Sequence, residues 1–416
     1  MKRFIWFIVL TFCGLQSAQA GGFMVGEMAT RSSGMGSAFT AVADDASAAW
    51  HNPAGVAFTK GGAIMVGGDV ILTTNQYERA TTIKANDGTF FVPHAYFTYW
   101  DEGSKLGAAL SINAPFGLET DWPTTTPFAG KNTFSRINMV MVNPSVVFQA
   151  SDRLSFAVGV DYAYMNQVDL NNTAQNLSGS GDGWGGNASI FYKGDGFNFG
   201  VTYRSKIKVD LKGTARAQGA FAALTGATSS SATTSVTLPD QVNVGFAFMP
   251  NDQLSISLDA DWVNWKTYDA INIRYNSALY RAQLSALQGV LGGPVTGQTD
   301  LPQNWKATVD LRAGAEWKYL PHLRARIGYV FSPTPIRDAD FSPSVPGNDR
   351  HIVSIGHGYD VNPDTTIDLA YAYVYIKTRN QTASTVGSYP GSPNTVKNGI
   401  YTGDAHIIMA SLSYRY

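Results

Sequence analysis

Cysteine is all but missing. The single one, Cys13, falls within the first twenty residues. Disulfide staples, thiolate metal sites and cysteine nucleophiles are excluded together for everything after it. Charge is also scarce, at 15% of the chain against roughly 25% in ordinary soluble domains. Neither sign dominates: setting aside Lys2 and Arg3 leaves 28 basic residues against 31 acidic, a formal charge of −3. That balance offers nothing to nucleic acid. Beyond residue 20 no apolar run approaches the roughly 18 residues of a membrane-spanning helix. The chain has no Gly-x-Ser-x-Gly, phosphate loop or His-Glu-x-x-His. Its six histidines, at 51, 94, 322, 351, 357 and 406, are scattered. His351 and His357 share one strand face but stand six apart, too far for a paired metal site. No enzyme, metal or cofactor is expected.

The two ends carry signals. Lys2 and Arg3 precede an apolar run from Phe4 to Cys13, and Ala18-Gln19-Ala20 is a small-x-small cleavage site. Residues 1–20 therefore read as a secretory leader, with the mature chain starting at Gly21. Phe12 is too large for the position before a lipid-bearing cysteine, which disfavours a lipoprotein at Cys13. The chain closes on Ser411-Leu412-Ser413-Tyr414-Arg415-Tyr416, alternating and aromatic at its end. A secreted chain with such a terminal strand and no spanning helix points to an outer-membrane β-barrel.

Alternation runs through the interior. Leu154, Phe156, Val158, Val160, Tyr162 and Tyr164 share one face, with Ser155, Ala157, Gly159, Asp161 and Ala163 opposite. Similar faces recur at 254–262, 307–318 and 323–331, with charges confined to one side. Alternation alone fits a soluble sandwich as well as a barrel whose lumen is polar. The connections separate the two. Fourteen candidate strands lie near 61–76, 90–100, 104–114, 137–150, 153–166, 183–193, 196–215, 232–249, 253–275, 303–319, 322–333, 349–360, 364–378 and 404–416. Tight turns such as Ser151-Asp152, Gly194-Asp195 and Leu320-Pro321 alternate with long loops at 77–89, 115–136, 167–182, 216–231, 276–302, 334–348 and 379–403. Short periplasmic turns and long external loops mark an outer-membrane barrel. The predicted fold is all-β: a fourteen-stranded antiparallel transmembrane barrel over 61–416. An open edge in lipid would leave backbone groups unpaired, so the last strand must meet the first.

Residues 21–60 do not read as strand. Small residues dominate, Asp44 is placed to cap a helix over 45–51, and Pro53 to stop it. Some forty compact residues ahead of a barrel fit a lumen plug. Here Gly34-x-Gly36, Ala43-Asp44-Asp45-Ala46 and Asn52-Pro53-Ala54 resemble the hatch of the FadL-type family, outer-membrane transporters of long-chain fatty acids and other hydrophobic compounds. Ala114-Pro115-Phe116-Gly117-Leu118-Glu119-Thr120, Leu238-Pro239-Asp240, Phe331-Ser332-Pro333-Thr334-Pro335 and Val345-Pro346-Gly347-Asn348-Asp349-Arg350 are similar to further stretches of it, in the same order.

The resemblance implies a monomeric barrel that binds a hydrophobic small molecule, sits among outer-membrane lipid and lipopolysaccharide, and presents Tyr416 to the barrel assembly machinery. Gating falls to Gly34, Gly36, Asp44, Asp45, Asn52, Pro53 and Ala54 of the hatch. A side opening in strand three falls to Gly107, Ala108 and Ala109, whose small side chains tolerate a gap in pairing. Phe23, Met24, Phe116, Met165, Asn166, Phe221, Leu284, Leu287 and Lys306 are the candidate substrate contacts. No energy source is encoded, so passage is diffusive. Fatty-acid carriers of the family meet the carboxylate with a basic residue late in strand five, where this chain has Tyr164-Met165-Asn166-Gln167. Lys306 is the alternative partner, unless it pairs with Asp310 or the hatch. Fatty acid and neutral aromatic or aliphatic hydrocarbon remain rivals, with fatty acid ahead. The external loop 277–291 carries Tyr280, Leu284, Leu287 and Leu291 at helical spacing, fitting a landing groove or simple packing on the rim. A general porin fits poorly with forty plug residues.

Overall fold

In the computed structural model, residues 22–59, 61–86, 88–101, 103–290, 295–382 and 394–416 are described. The proposed leader and Leu291 lie outside them. Fourteen antiparallel strands follow in chain order. They are β1 (Gly61–Glu78), β2 (Gly88–Trp100, preceded by Thr82–Lys84), β3 (Leu106–Asn113, resuming at Leu118–Asp121), β4 (Phe134–Gln149) and β5 (Leu154–Asn171). Then come β6 (Gln175–Lys193), β7 (Phe197–Arg204 and Ile207–Ala217), β8 (Ser229–Leu238 and Gln241–Asn251), β9 (Leu254–Val263 and Ala270–Tyr275) and β10 (Thr299–Pro302 and Thr308–Leu320). The last are β11 (Leu323–Ser332), β12 (Arg350–Asn362), β13 (Thr365–Gln381) and β14 (Gly399–Arg415). Each pairs with its chain neighbours, and β1 meets β14 from Ala63↔Arg415 to Glu78↔Ile400, closing the cylinder. Closure leaves neither the first nor the last strand as a free edge in lipid.

The period-2 pattern sets the wall. Phe156, Val158 and Val160 are exposed, Val158 at 63%, while Asp161, next after Val160, is wholly buried in the lumen. Ile256 and Leu258 likewise face out, and Asp259 and Asp261 face in. A soluble sandwich would invert this arrangement; an exterior of Val, Ile, Leu and Tyr belongs in lipid. Trp317, Tyr359, Tyr414 and Tyr416 are exposed near the short-turn end, where an interfacial aromatic girdle belongs.

The fourteen strands match expectation in number and order, and the tight turns fall where the turn residues stand. Several loops are shorter than predicted. The 167–182 loop is a turn at 172–174, because β5 and β6 continue to Asn171 and from Gln175, paired as far as Asn171↔Asn176. The 77–89 loop is largely hairpin, with Tyr77↔Ile83 paired. Strand length was underestimated because above the bilayer a strand needs no apolar face, and Ser-Gly-Asp sequence such as 178–183 conceals it. Helices α3 (Gly219–Thr225) and α4 (Ala278–Val290) fill two of the long loops.

Residues 22–59 form the hatch inside the cylinder. It contains the short helical turns α1 (Thr30–Ser33) and α2 (Ala48–His51) and a 3-10 helix at Pro53–Phe58. The helix expected over 45–51 is therefore shorter. Asp44 does not cap it; Asp44 is exposed and bound to Arg31 at 2.5 Å. Asp45 instead accepts the Ser47 N–H at 2.8 Å. Asn52 caps the 3-10 helix, accepting the Ala54 N–H at 3.2 Å.

Candidate transport site

Most of the hatch is bound to the wall. Asn52 donates through its amide to Thr40 O at 2.9 Å and to Ile190 O of β6 at 3.0 Å. Ala54 is held on both sides, its N–H by Ser189 and its carbonyl by Ser155 at 2.6 Å. The Phe39 and Thr40 N–H groups both donate to Asp259 of β9, each at 2.9 Å. Arg31 spans Asp45 and Glu316 of β10. Glu316 also binds Arg326, which reaches Asp368. Close approach matters most at Gly36 and Gly328. Gly36 has φ +62°, and a Cβ on Gly328 would collide with the backbone of Met35 and Gly36. The inward aspartates thus hold arginines and hatch backbone, as a polar lumen predicts. Asp161 binds Arg204, while Asp261 and Asp310 bind Arg312.

The leading segment, Gly22 to Ala29, is held differently. β3 breaks between Asn113 and Leu118. Pro115 in the break lacks an N–H and cannot serve a ladder. Two hatch bonds fill the place of strand pairing: Val25 N–H to Pro115 O at 2.8 Å and Gly117 N–H to Phe23 O at 2.9 Å. Met24 faces Phe116 in an antiparallel bridge. Between β2 and β3 the ladder stops at Ala95↔Ile112 and contact resumes at the Asn86 N–H to Asp121 O bond, 2.8 Å. The window between is covered by this strap. Gly107, Ala108 and Ala109 are not the gap: all three pair with β2 and with β4. Small size permits a gap, but only the proline and the residues after it make one.

Phe23 anchors the strap. Its ring meets Trp265 at 4.9 Å, Tyr268 at 5.1 Å, Trp305 at 5.7 Å and Phe116 at 5.9 Å. Above this cage, toward the long loops, lies a cavity of about 330 Å³. Leu118, Ile137, Val168, Leu211, Val236, Tyr268 and Ile271 contribute apolar wall, and Lys131, Arg136 and Lys397 contribute positive charge. Arg136 is committed to Glu119 at 2.6 Å. Burial pushes the Lys397 ammonium down to about 8, helped by the charge of Lys131. Burial also lowers Lys131. Below the hatch, at the short-turn end, a larger space of about 790 Å³ is lined by Asp44, Asp45, Lys193, Lys318, Arg324 and other charged residues.

Of the candidate contacts, Phe23, Met24, Phe116 and Met165 are buried in one apolar cluster. Asn166 is exposed, on the outward phase it shares with Tyr162 and Tyr164, just ahead of the register shift that precedes Val168. Lys306 lies in the interruption of β10, exposed, with Trp305 buried in its stead. Strand phase does not survive such a break, so Lys306 is not a luminal cation. Phe221, Leu284 and Leu287 belong to a separate cluster where α3 packs on α4. Phe221 meets Tyr280 edge-on at 5.4 Å. The helical stripe is packing rather than a groove. Lys131 and Lys397 were missed because both come from loops, where no periodicity assigns a direction.

A closed cylinder, greasy outside and polar within, corked by its own leading residues with an apolar chamber above the cork, defines an outer-membrane transport barrel. The family model for outer membrane protein transport proteins (OMPP1/FadL/TodX) matches residues 11–416, and the chain belongs to that family. Outer membrane protein P1 of Haemophilus influenzae is 25% identical, with 100% of each chain covered. The long-chain fatty acid transport protein of Salmonella typhi is 23% identical, over 86% of this chain and 88% of its own. Among solved structures, a Pseudomonas aeruginosa FadL homologue superposes with a TM-score of 0.79 at 18% identity, covering 95% of this chain and 99% of that one. The Ralstonia pickettii toluene transporter TbuX gives 0.70 at 19%, covering 94% and 99%. The fold is shared with both.

Proposed function

We propose that this outer-membrane protein passes hydrophobic compounds, foremost long-chain fatty acids, inward by diffusion and releases them sideways into the membrane. The observation carrying this reading is the chamber between external loops and hatch, largely apolar yet set with Lys131 and Lys397. Its volume lies at the lower edge of the ~300–1,000 Å³ of small-molecule sites. The buried Lys397 ammonium and the half-buried one of Lys131 disfavour each other; a carboxylate between them relieves both, and an alkyl tail takes up the apolar wall. The charged space below the hatch is a poor route for an alkyl chain. The β3 break opens toward lipid, and the strap of residues 22–29 is what covers it. Sliding the strap exposes the window while the rest of the hatch, from Thr30 onward, stays bound to the wall.

A second reading, neutral aromatic cargo, is favoured by the cage around Phe23, which accepts a ring edge-on. Proteins similar to this chain include both a long-chain fatty acid transport protein and a toluene transporter. Equilibrium binding of a labelled long-chain fatty acid and of labelled toluene to the purified protein separates the readings. The acid should bind, and should compete with toluene only where the tail reaches the cage. Toluene binding with no acid binding would reverse the order.

A further inference from the structure

Buried guanidinium groups in this lumen are ion-paired: Arg204, Arg312, Arg326 and Arg379 each hold an aspartate or glutamate. Arg350 does not. It opens β12, is only 1% exposed, and ranks among the largest fully buried side chains. Its Nε and Nη1 have no hydrogen-bond partner, and it makes no ion pair among the described residues. A buried charge without partners is strongly destabilising, far more so than a buried pair. Its position suggests why such a group is retained. A Cβ on Gly347 would sit 2.9 Å from Arg350 Nη2, and Val345, two residues earlier, lines the chamber. The carboxylates whose fields reach it are Glu27 and Asp310. Glu27 is carried by the strap and is itself buried at 5%. Asp310 is already engaged by Arg312 and Ser332.

We propose that Arg350 is a second receiving point for the cargo's carboxylate, beside Gly347 just beyond the chamber residue Val345, and that Glu27 on the strap is the competing anion. This rests on the fatty-acid reading of the chamber. A guanidinium fork suits a planar carboxylate in two-point contact, which a neutral ester cannot match. Cargo arriving at Arg350 removes the electrostatic reason for Glu27 to stay, and the strap loosens where it covers the window.

The test is equilibrium binding of a long-chain fatty acid and of its methyl ester to the purified full-length protein in detergent. Arg350→Gln should weaken the acid by about tenfold or more and leave the ester unchanged. Glu27→Gln should tighten the acid several-fold, also without effect on the ester. Arg350→Lys, which keeps charge but loses the fork, should fall between. Equal losses for acid and ester in Arg350→Gln, or acid affinity indifferent to Arg350→Gln and Glu27→Gln alike, would overturn the assignment while leaving the chamber reading intact. Failure of the unaltered protein to bind the acid at all would remove both. Heat-modifiable migration on gels reports whether each variant barrel is folded.

Discussion

Lys397 shows how much one side chain in this lumen depends on its surroundings. Burial and the neighbouring Lys131 bring its ammonium from 10.5 to about 8. The folded state therefore binds a proton less readily than the unfolded chain between those two values. Stability linked to this group rises with pH through that window and is lowest below it, where both states are protonated and the folded one bears the burial cost. Cargo binding runs the other way. Acid affinity should fall as pH is raised from 7 to 9, as the ammonium that meets the carboxylate is lost. Lys397→Met should weaken acid binding by about tenfold at pH 7 and flatten that pH dependence. Titration of labelled acid across the range checks both. Lys306→Ala should alter neither, since that side chain lies exposed outside the chamber; a tenfold loss there would return the cation to strand ten. The contrast marks the limit of reading residues from sequence. Phase along a strand placed Asp161 and Asp259 in the lumen correctly, because unbroken pairing preserves a period of two. It misplaced Lys306, because an interruption of the strand resets the period; Asn166, named from the family resemblance, lies on the outward phase of Tyr164. Strand phase could not reach Lys131 or Lys397 at all.

At the scale of elements, the hatch has two parts with different attachments. From Thr30 to Phe58 it is tied to β5, β6 and β9–β12 by side-chain bonds, an ion network and close backbone packing. From Gly22 to Ala29 it is tied chiefly by two backbone bonds at the β3 break and by Phe23 in its cage. Asn52-Pro53-Ala54 thus lies in the part bonded to the wall, and the proposed route assigns movement to the strap instead. Gly328→Val should force Met35 and Gly36 off the wall. The expected result is ion conductance in planar bilayers well above the near-zero level expected of the unaltered protein, with the barrel still folded. Conductance unchanged by that variant would mean the hatch does not seal there. The hatch itself was legible, since forty small-residue positions without alternation cannot be barrel wall. So was the stretch holding the break: Ala114-Pro115-Phe116-Gly117 stands out as a strand ending. That the strap would complete its hydrogen bonds was not legible, because no local pattern encodes pairing between residues some ninety positions apart.

For the whole molecule, the order of spaces along the axis is the physical basis of the proposed route. An apolar chamber faces the external loops, a charged space faces the other end, and the hatch stands between them. An apolar solute that reaches the chamber gains nothing by going down and gains lipid by going sideways. Strand number, order and closure followed from the alternation of short and long connections, a global regularity that survives local errors. The depth of the strands above the membrane did not, since nothing apolar is required of them there. The most direct measurement locks the strap. Beyond Cys13 the chain contains no cysteine, so Met24→Cys with Phe116→Cys introduces a single pair across the bridge between strap and β3. Uptake of labelled fatty acid by cells expressing this variant should stop under oxidising conditions and return on reduction, with binding to the purified protein retained in both states. Uptake that continues undiminished with the crosslink formed would contradict lateral release at the third strand.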